Sequence, residues 1–120
     1  MRLNRKFDNL IALKRGYPSY YRYRKFLQQI VRHDMENVMY PIPFTSIFGA
    51  HTLSSLNWKV DVVYLDSSHL LGETFVELSL YFQLLSPGGL LIGDDYDGFP
   101  AVKLDVDLFV QYKQQDLAFE

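Results

Sequence analysis

Cysteine is absent from the 120-residue chain, which excludes a disulfide scaffold and any cysteine-ligated zinc or iron–sulfur centre. No apolar run comes near the roughly 20 residues that a membrane-spanning helix needs. The basic start, Met1-Arg2-Leu3-Asn4-Arg5-Lys6, lacks the apolar stretch of a signal peptide after it. Internal repeats, low-complexity tracts and domain linkers are also missing. These absences lead to the expectation of one domain, spanning residues 1–120, in a soluble cytoplasmic protein with no membrane contact. What is present suits a packed core: 48% of the residues are apolar, too many for a disordered tail.

Net charge is −2, unevenly spread. Residues 1–32 hold nine Lys or Arg and one acid, whereas residues 33–120 hold three Lys and thirteen acids. A basic start reads either as an ordinary solvated helix face or as a contact for nucleic acid or a membrane surface. No aromatic–basic nucleic-acid motif accompanies it, so nucleic acid is not the expected partner.

Gly16-Tyr17-Pro18-Ser19 reads as a turn and a helix N-cap. Helical spacing follows over residues 20–33, with Tyr23, Phe26, Leu27, Ile30 and Val31 on one stripe. Residues 34–37 are polar and read as a loop. Val38-Met39-Tyr40-Pro41-Ile42 reads as a short strand that Pro41 confines to an end or edge. Residues 46–56 suit a short helix, and Asn57-Trp58-Lys59 a loop. Residues 60–65 form a β-branched apolar strand that stops at Asp66. Residues 71–85 are helical in period, with Phe75, Leu78, Phe82 and Leu85 in line. Ser86-Pro87-Gly88-Gly89 reads as the end of that helix. Leu90-Leu91-Ile92 is a second strand, stopping at Gly93-Asp94-Asp95. Pro100 suits the first turn of a last helix, with Val102, Val106, Phe109 and Val110 on its apolar face.

Strand, helix and strand within about 34 residues make a βαβ unit, so the strands are expected to be parallel. Neither strand alternates, as expected where both faces are covered. The fold class is α/β. Ligands in such folds bind beyond the carboxyl ends of the strands. Here that edge collects Asp66 from one strand and Asp94 and Asp95 from the other. Clustered carboxylates repel unless they are protonated, solvated or bound to a cation. Oxygen ligands suit magnesium, calcium or manganese. The plainer reading is that the three acids cap loops and helix starts. His69, three residues beyond Asp66, reads either as a general base or as a helix-start residue bonded to its loop. His33 and His51 read as structural. Trp58 and Tyr17, Tyr20, Tyr21 and Tyr23 read as core or interface, or else as a substrate wall.

The segments Val60-Asp61-Val62-Val63-Tyr64-Leu65-Asp66-Ser67-Ser68-His69 and Leu84-Leu85-Ser86-Pro87-Gly88-Gly89-Leu90-Leu91-Ile92-Gly93-Asp94-Asp95-Tyr96 carry a resemblance. They resemble class I S-adenosylmethionine-dependent methyltransferases, most of all the O-methyltransferase type. The resemblance implies a Rossmann-like methyltransferase fold, a partial parallel sheet flanked by helices. It implies methyl transfer from S-adenosylmethionine to a small-molecule hydroxyl. In metal-dependent members a divalent cation such as Mg2+ holds the acceptor oxygens. The family's metal positions fall here on Asp66, Asp94 and Asp95; the expected catalytic residues are Asp66 and His69, with His69 read from its place on the same rim as an aid to proton removal. Ser46 falls near where the family contacts the adenine, and Ser46, Asp66 and Ser67 are the expected cofactor contacts. Two features of the family are not visible: a first strand leading into a glycine-rich loop, and a second strand ending in an acid for the ribose. The chain then corresponds to the middle of the domain, with a sheet edge left bare for a second copy or a partner chain. Residues 10–13 read as a makeshift strand there. The alternative is a catalytically inactive methyltransferase-like interaction module or a truncated gene product.

Overall fold

The structure, a computed structural model, describes residues 18–118, with side chains placed over 21–115. The chain divides into two compact units, Met1–Ile42 and Pro43–Glu120.

In the first unit, helix α1 spans Pro18–Arg32. Pro18 and Ser19 are its first residues rather than the turn before it. Proline costs nothing in a first helical turn, where the missing N–H has no intrahelical partner. The helix ends where Asp34 turns left-handed, at φ 54°. Met35 N then bonds Ile30 O at 3.0 Å and Asp34 N bonds Val31 O at 3.2 Å, the paired bonds of a Schellman motif. Residues 38–42, expected as a strand, form none. Val38 N and Met39 N both bond Met35 O, which curls the segment into a turn. Pro41 within the segment and Pro43 just after it remove two ladder donors, which disfavours a strand there. The expected turn at Gly16-Tyr17 and the strand over residues 10–13 lie outside the described residues.

The second unit is mixed α/β. Its elements are α2 (Ser46–Ser55), β1 (Val60–Leu65), α3 (Glu73–Phe82), β2 (Leu85–Gly93) and α4 (Pro100–Ala118). Thr45 caps α2, its Oγ1 accepting from Phe48 N. Asn57, at φ 55°, ends α2 as Asp34 ends α1, with Trp58 N bonding Leu53 O at 3.0 Å.

Strands β1 and β2 pair in parallel, Val62↔Leu90 through Leu65↔Gly93. The βαβ unit is therefore present, with α3 as its crossover. Two details differ from the sequence reading. Helix α3 stops at Phe82, and β2 begins at Leu85, before the Ser86-Pro87-Gly88-Gly89 segment. That segment is a bulge inside the strand: β1 advances from Val60 to Val62 while β2 advances from Leu85 to Leu90. Gly88 bends it at φ 79°. Gly89 lets two carbonyls come close, since a Cβ there would stand 2.9 Å from Ser86 O and 3.0 Å from Asp61 O.

The core lies on one side of this sheet. Val63 and Leu65 of β1, Leu78 of α3 and Phe109 of α4 are buried together, edged by Phe75, Val106 and Leu91. Phe109 meets Phe75 and Phe82 edge-on, at centroid distances of 6.3 and 5.7 Å. On the other side of the sheet, Val62, Tyr64, Leu90 and Ile92 are 56%, 59%, 59% and 43% exposed, with no element of the second unit among the described residues packed on them. The missing alternation thus does not mean cover on both faces. Among the described residues, no helix is long and apolar enough to cross a membrane.

Candidate functional site

The site is built by the register. Leu65 and Gly93 are the last paired residues, and Asp94 N donates to Leu65 O at 3.0 Å. Asp66, Asp94 and Asp95 therefore leave the sheet at one edge. From there the strands send their chains in different directions.

Asp94 turns back along the sheet. Its Oδ2 accepts the Tyr64 hydroxyl at 2.6 Å and its Oδ1 accepts Asp95 N at 2.7 Å. These two bonds hold the Asp94 carboxyl below its ordinary value, the phenol first and the amide second. The same contact raises the Tyr64 phenol, helped by partial burial and the charges of Asp94, Asp66 and Asp95.

Asp95 has a left-handed backbone, φ 64°. Aspartate tolerates that conformation better than most residues. Its carbonyl accepts Gly98 N at 3.2 Å and Phe99 N at 3.1 Å, closing a tight loop before α4. The loop is tied to α4 by Tyr96, whose hydroxyl donates to Asp107 at 2.7 Å and accepts from Lys103 Nζ at 3.2 Å.

That loop brings two side chains onto His69. Its Nε2 lies 2.6 Å from Asp95 Oδ2. Its ring stacks on Phe99, with centroids 3.9 Å apart and planes 8° from parallel. Asp66, His69 and Asp95 each place a ligand atom within 4.8 Å of the others. The expected trio was Asp66, Asp94 and Asp95. The geometry brings together Asp66 and Asp95, places His69 with them, and sends Asp94 to Tyr64.

Below this cluster lies a buried acid. Glu77 of α3 is 3% exposed, and its Oε2 accepts a hydrogen bond from the Ser67 hydroxyl. Ser67, expected at a cofactor, thus anchors the loop after β1. Thr74 Oγ1 donates to Ser68 O at 3.4 Å and supports the same loop. Ser46 is not part of the site. It starts α2, with its carbonyl accepting the Tyr81 hydroxyl at 2.8 Å, near the end of α3 remote from the acids.

The cavity enclosed by Asp66, His69, Asp95, Thr74 and Glu77 measures about 30 Å³. That is room for an ion or a water or two. A nucleoside cofactor needs a pocket roughly ten times larger. A groove of about 630 Å³ runs between Phe75 and the outer side of α4, along Leu104, Leu108 and Tyr112, and shares no lining residue with the acid cluster.

Sequence reasoning missed Glu77, Phe99, Tyr64 and Asp105. Glu77 and Asp105 had a signal, because each sits within an apolar stripe: Thr74, Glu77, Leu78 and Tyr81 on α3, and Val102, Asp105, Val106 and Phe109 on α4. An acid on a core-facing stripe has a partner or a task. Phe99 and Tyr64 had none, since their roles depend on a tight loop and on the pleat of β1.

Comparison with known proteins finds no matching family model, no matching curated protein and no matching solved structure.

Proposed function

We propose that the carboxyl end of the sheet is a divalent-cation centre of the kind that assists methyl transfer to a small-molecule hydroxyl. One observation carries this reading: the ligand atoms of Asp66, His69 and Asp95 lie within 4.8 Å of one another at the ends of two adjacent parallel strands. Two carboxylates and one imidazole fit a cation, and the 30 Å³ cavity suits its size. The imidazole favours manganese, iron or zinc over calcium. A bound cation would lower the pKa of an acceptor hydroxyl and fix its oxygen in place. In this assignment the His69 imidazole would hold the ion beside the Asp66 and Asp95 carboxylates, the cation replacing the proton shared between Nε2 and Asp95 Oδ2 if Nε2 is the ligand. Phe99 fixes the plane of the imidazole, and Glu77, through Ser67, holds the loop that carries Asp66.

S-adenosylmethionine does not fit the same place. The cavity is too small, Ser46 is remote from it, and Ser67 is engaged by Glu77. The first strand and glycine-rich loop that approach the cofactor in the family are not visible in the sequence. No step through that cofactor is assigned to these residues. The small cavity favours a second reading, in which the chain is a methyltransferase-like module that binds a cation without catalysing transfer.

Calorimetry separates the readings. The chain is titrated with manganese, with magnesium and with S-adenosylhomocysteine, alongside Asp66→Asn and His69→Ala. Saturable manganese binding that both variants lose supports the cation centre. Binding of S-adenosylhomocysteine as well would restore methyl transfer, and its failure beside intact manganese binding selects the non-catalytic module. A folded chain that binds neither cation sinks both.

A further inference from the structure

Two adjacent aspartates at the acid edge are engaged in different ways. Asp95 meets His69. Asp94, one residue earlier, has both carboxylate oxygens occupied: Oδ2 accepts the Tyr64 hydroxyl at 2.6 Å and Oδ1 accepts Asp95 N at 2.7 Å. Asp94 nonetheless lines the same small cavity as Asp66, His69 and Asp95. It stands outside the group whose ligand atoms all lie within 4.8 Å of one another.

The register accounts for the pairing. Tyr64 pairs with Ile92, two residues before Asp94. Side chains two apart along a strand share a face, so the phenol of β1 meets the carboxylate that follows β2. The bond from Asp95 N is local and does not need a tyrosine at position 64. The bond from Tyr64 ties Asp94 to the neighbouring strand, and a hydroxyl donating to an ionised carboxylate is a strong partner. Consecutive Cα atoms are only about 3.8 Å apart, so an Asp94 carboxylate released by Tyr64 is within a side chain's swing of the ion that Asp95 would hold.

The consequence is one of cation choice. With Asp94 withheld, the donors are two carboxylates and an imidazole, a set that suits manganese better than magnesium. A third carboxylate would move the set toward the oxygen-only surroundings that magnesium takes.

We propose that Tyr64 is a specificity-determining residue of the cation centre: by holding Asp94 away, its hydroxyl keeps the donors to Asp66, His69 and Asp95 and so selects manganese over magnesium. The inference rests on the cation reading above.

Calorimetric titration of the full chain with manganese and with magnesium tests it. The wild type is expected to bind manganese the more tightly. Tyr64→Phe is expected to tighten magnesium by about tenfold, the size of effect typical of residues that orient metal ligands, with manganese changing less. On an Asp94→Asn background, Tyr64→Phe is expected to leave the preference where it was. Tyr64 is 59% exposed and the substitution removes one oxygen, so the fold should persist, and circular dichroism confirms it. A preference that Tyr64→Phe leaves unchanged overturns the proposal, whether neither affinity moves or both rise alike because the Asp94 charge has lost its donor. So does a narrowed preference that appears equally on the Asp94→Asn background. Both failures occur beside intact manganese binding and leave the cation reading standing. A folded wild type that binds neither cation ends that reading and the proposal together.

Discussion

Asp105, on α4, caps the start of α3. Its Oδ2 accepts Gly72 N at 2.8 Å and Phe75 N at 3.4 Å, and the residue is 2% exposed. Helix α3 needs this help because Gly72, at its N-cap, has a left-handed backbone and no side chain to offer. A carboxylate at a helix N-terminus meets both the free amides and the positive end of the helix dipole.

Asp105→Ala should cost about 2–3 kcal/mol of stability, because it leaves two amides without their acceptor in a buried place. Asp105→Asn keeps an acceptor oxygen and should cost clearly less. Urea denaturation of both variants checks this. Equal losses would show that the carboxylate charge, rather than an acceptor oxygen alone, makes the cap.

Gly89→Ala should destabilise by about 1–3 kcal/mol, since the added methyl meets two backbone carbonyls that cannot rotate away. The same substitution at Gly88 meets no atom within 4 Å, and only its left-handed φ of 79° opposes it. Thermal melts of the pair should therefore rank Gly89→Ala as the more damaging.

The Tyr64–Asp94 bond has a pH signature. The Asp94 carboxyl is held below its ordinary value by the Tyr64 hydroxyl and then by Asp95 N. Its contribution to stability is thus complete above the ordinary carboxylate range and is lost as pH falls through the lowered value. In Tyr64→Phe the Asp94 titration, followed by carbon NMR, should move up toward the ordinary value. An unmoved titration would place the cause in Asp95 N alone.

Phe99→Ala removes the ring on which His69 lies. If Asp66, His69 and Asp95 hold a cation, manganese affinity should fall by roughly ten-fold, as for other residues that orient a ligand. Ser67→Ala tests the floor of the site, because it leaves buried Glu77 without the hydroxyl it accepts. It should lower stability by about 1–3 kcal/mol. Isothermal titration serves for the first, denaturation for the second.

How much of this was legible in the sequence varies with the range of the interaction. The βαβ unit was readable because β1 is a continuous apolar run and α3 has a clear stripe. The edge that collects Asp66, Asp94 and Asp95 followed from that order alone. Which acids meet was not readable. Asp94 and Asp95 are adjacent in sequence but diverge, one drawn to Tyr64 and the other turned left-handed toward His69. The strand at residues 38–42 was misread because a short apolar run says nothing about a neighbour to pair with. The turn at Ser86-Pro87-Gly88-Gly89 was misplaced because proline and glycine mark a bulge inside a strand as readily as a boundary. The exposed face was hidden for a related reason: apolar residues on both sides of a strand show what could be covered, not what is.

That bulge also sets how far the acid edge is shielded from changes in chain length. Its surplus residues leave the ladder after Leu85 and rejoin it at Leu90, so the pairs from Val62↔Leu90 to Leu65↔Gly93 do not depend on how long the excursion is. A residue inserted after Leu90 would turn every later side chain to the opposite face, whereas a change of length before Leu90 falls outside the paired stretch and meets instead the close carbonyls around Gly89. The segment thus separates two registers, so the acid edge is set by the pairs after Leu90 and not by where α3 ends.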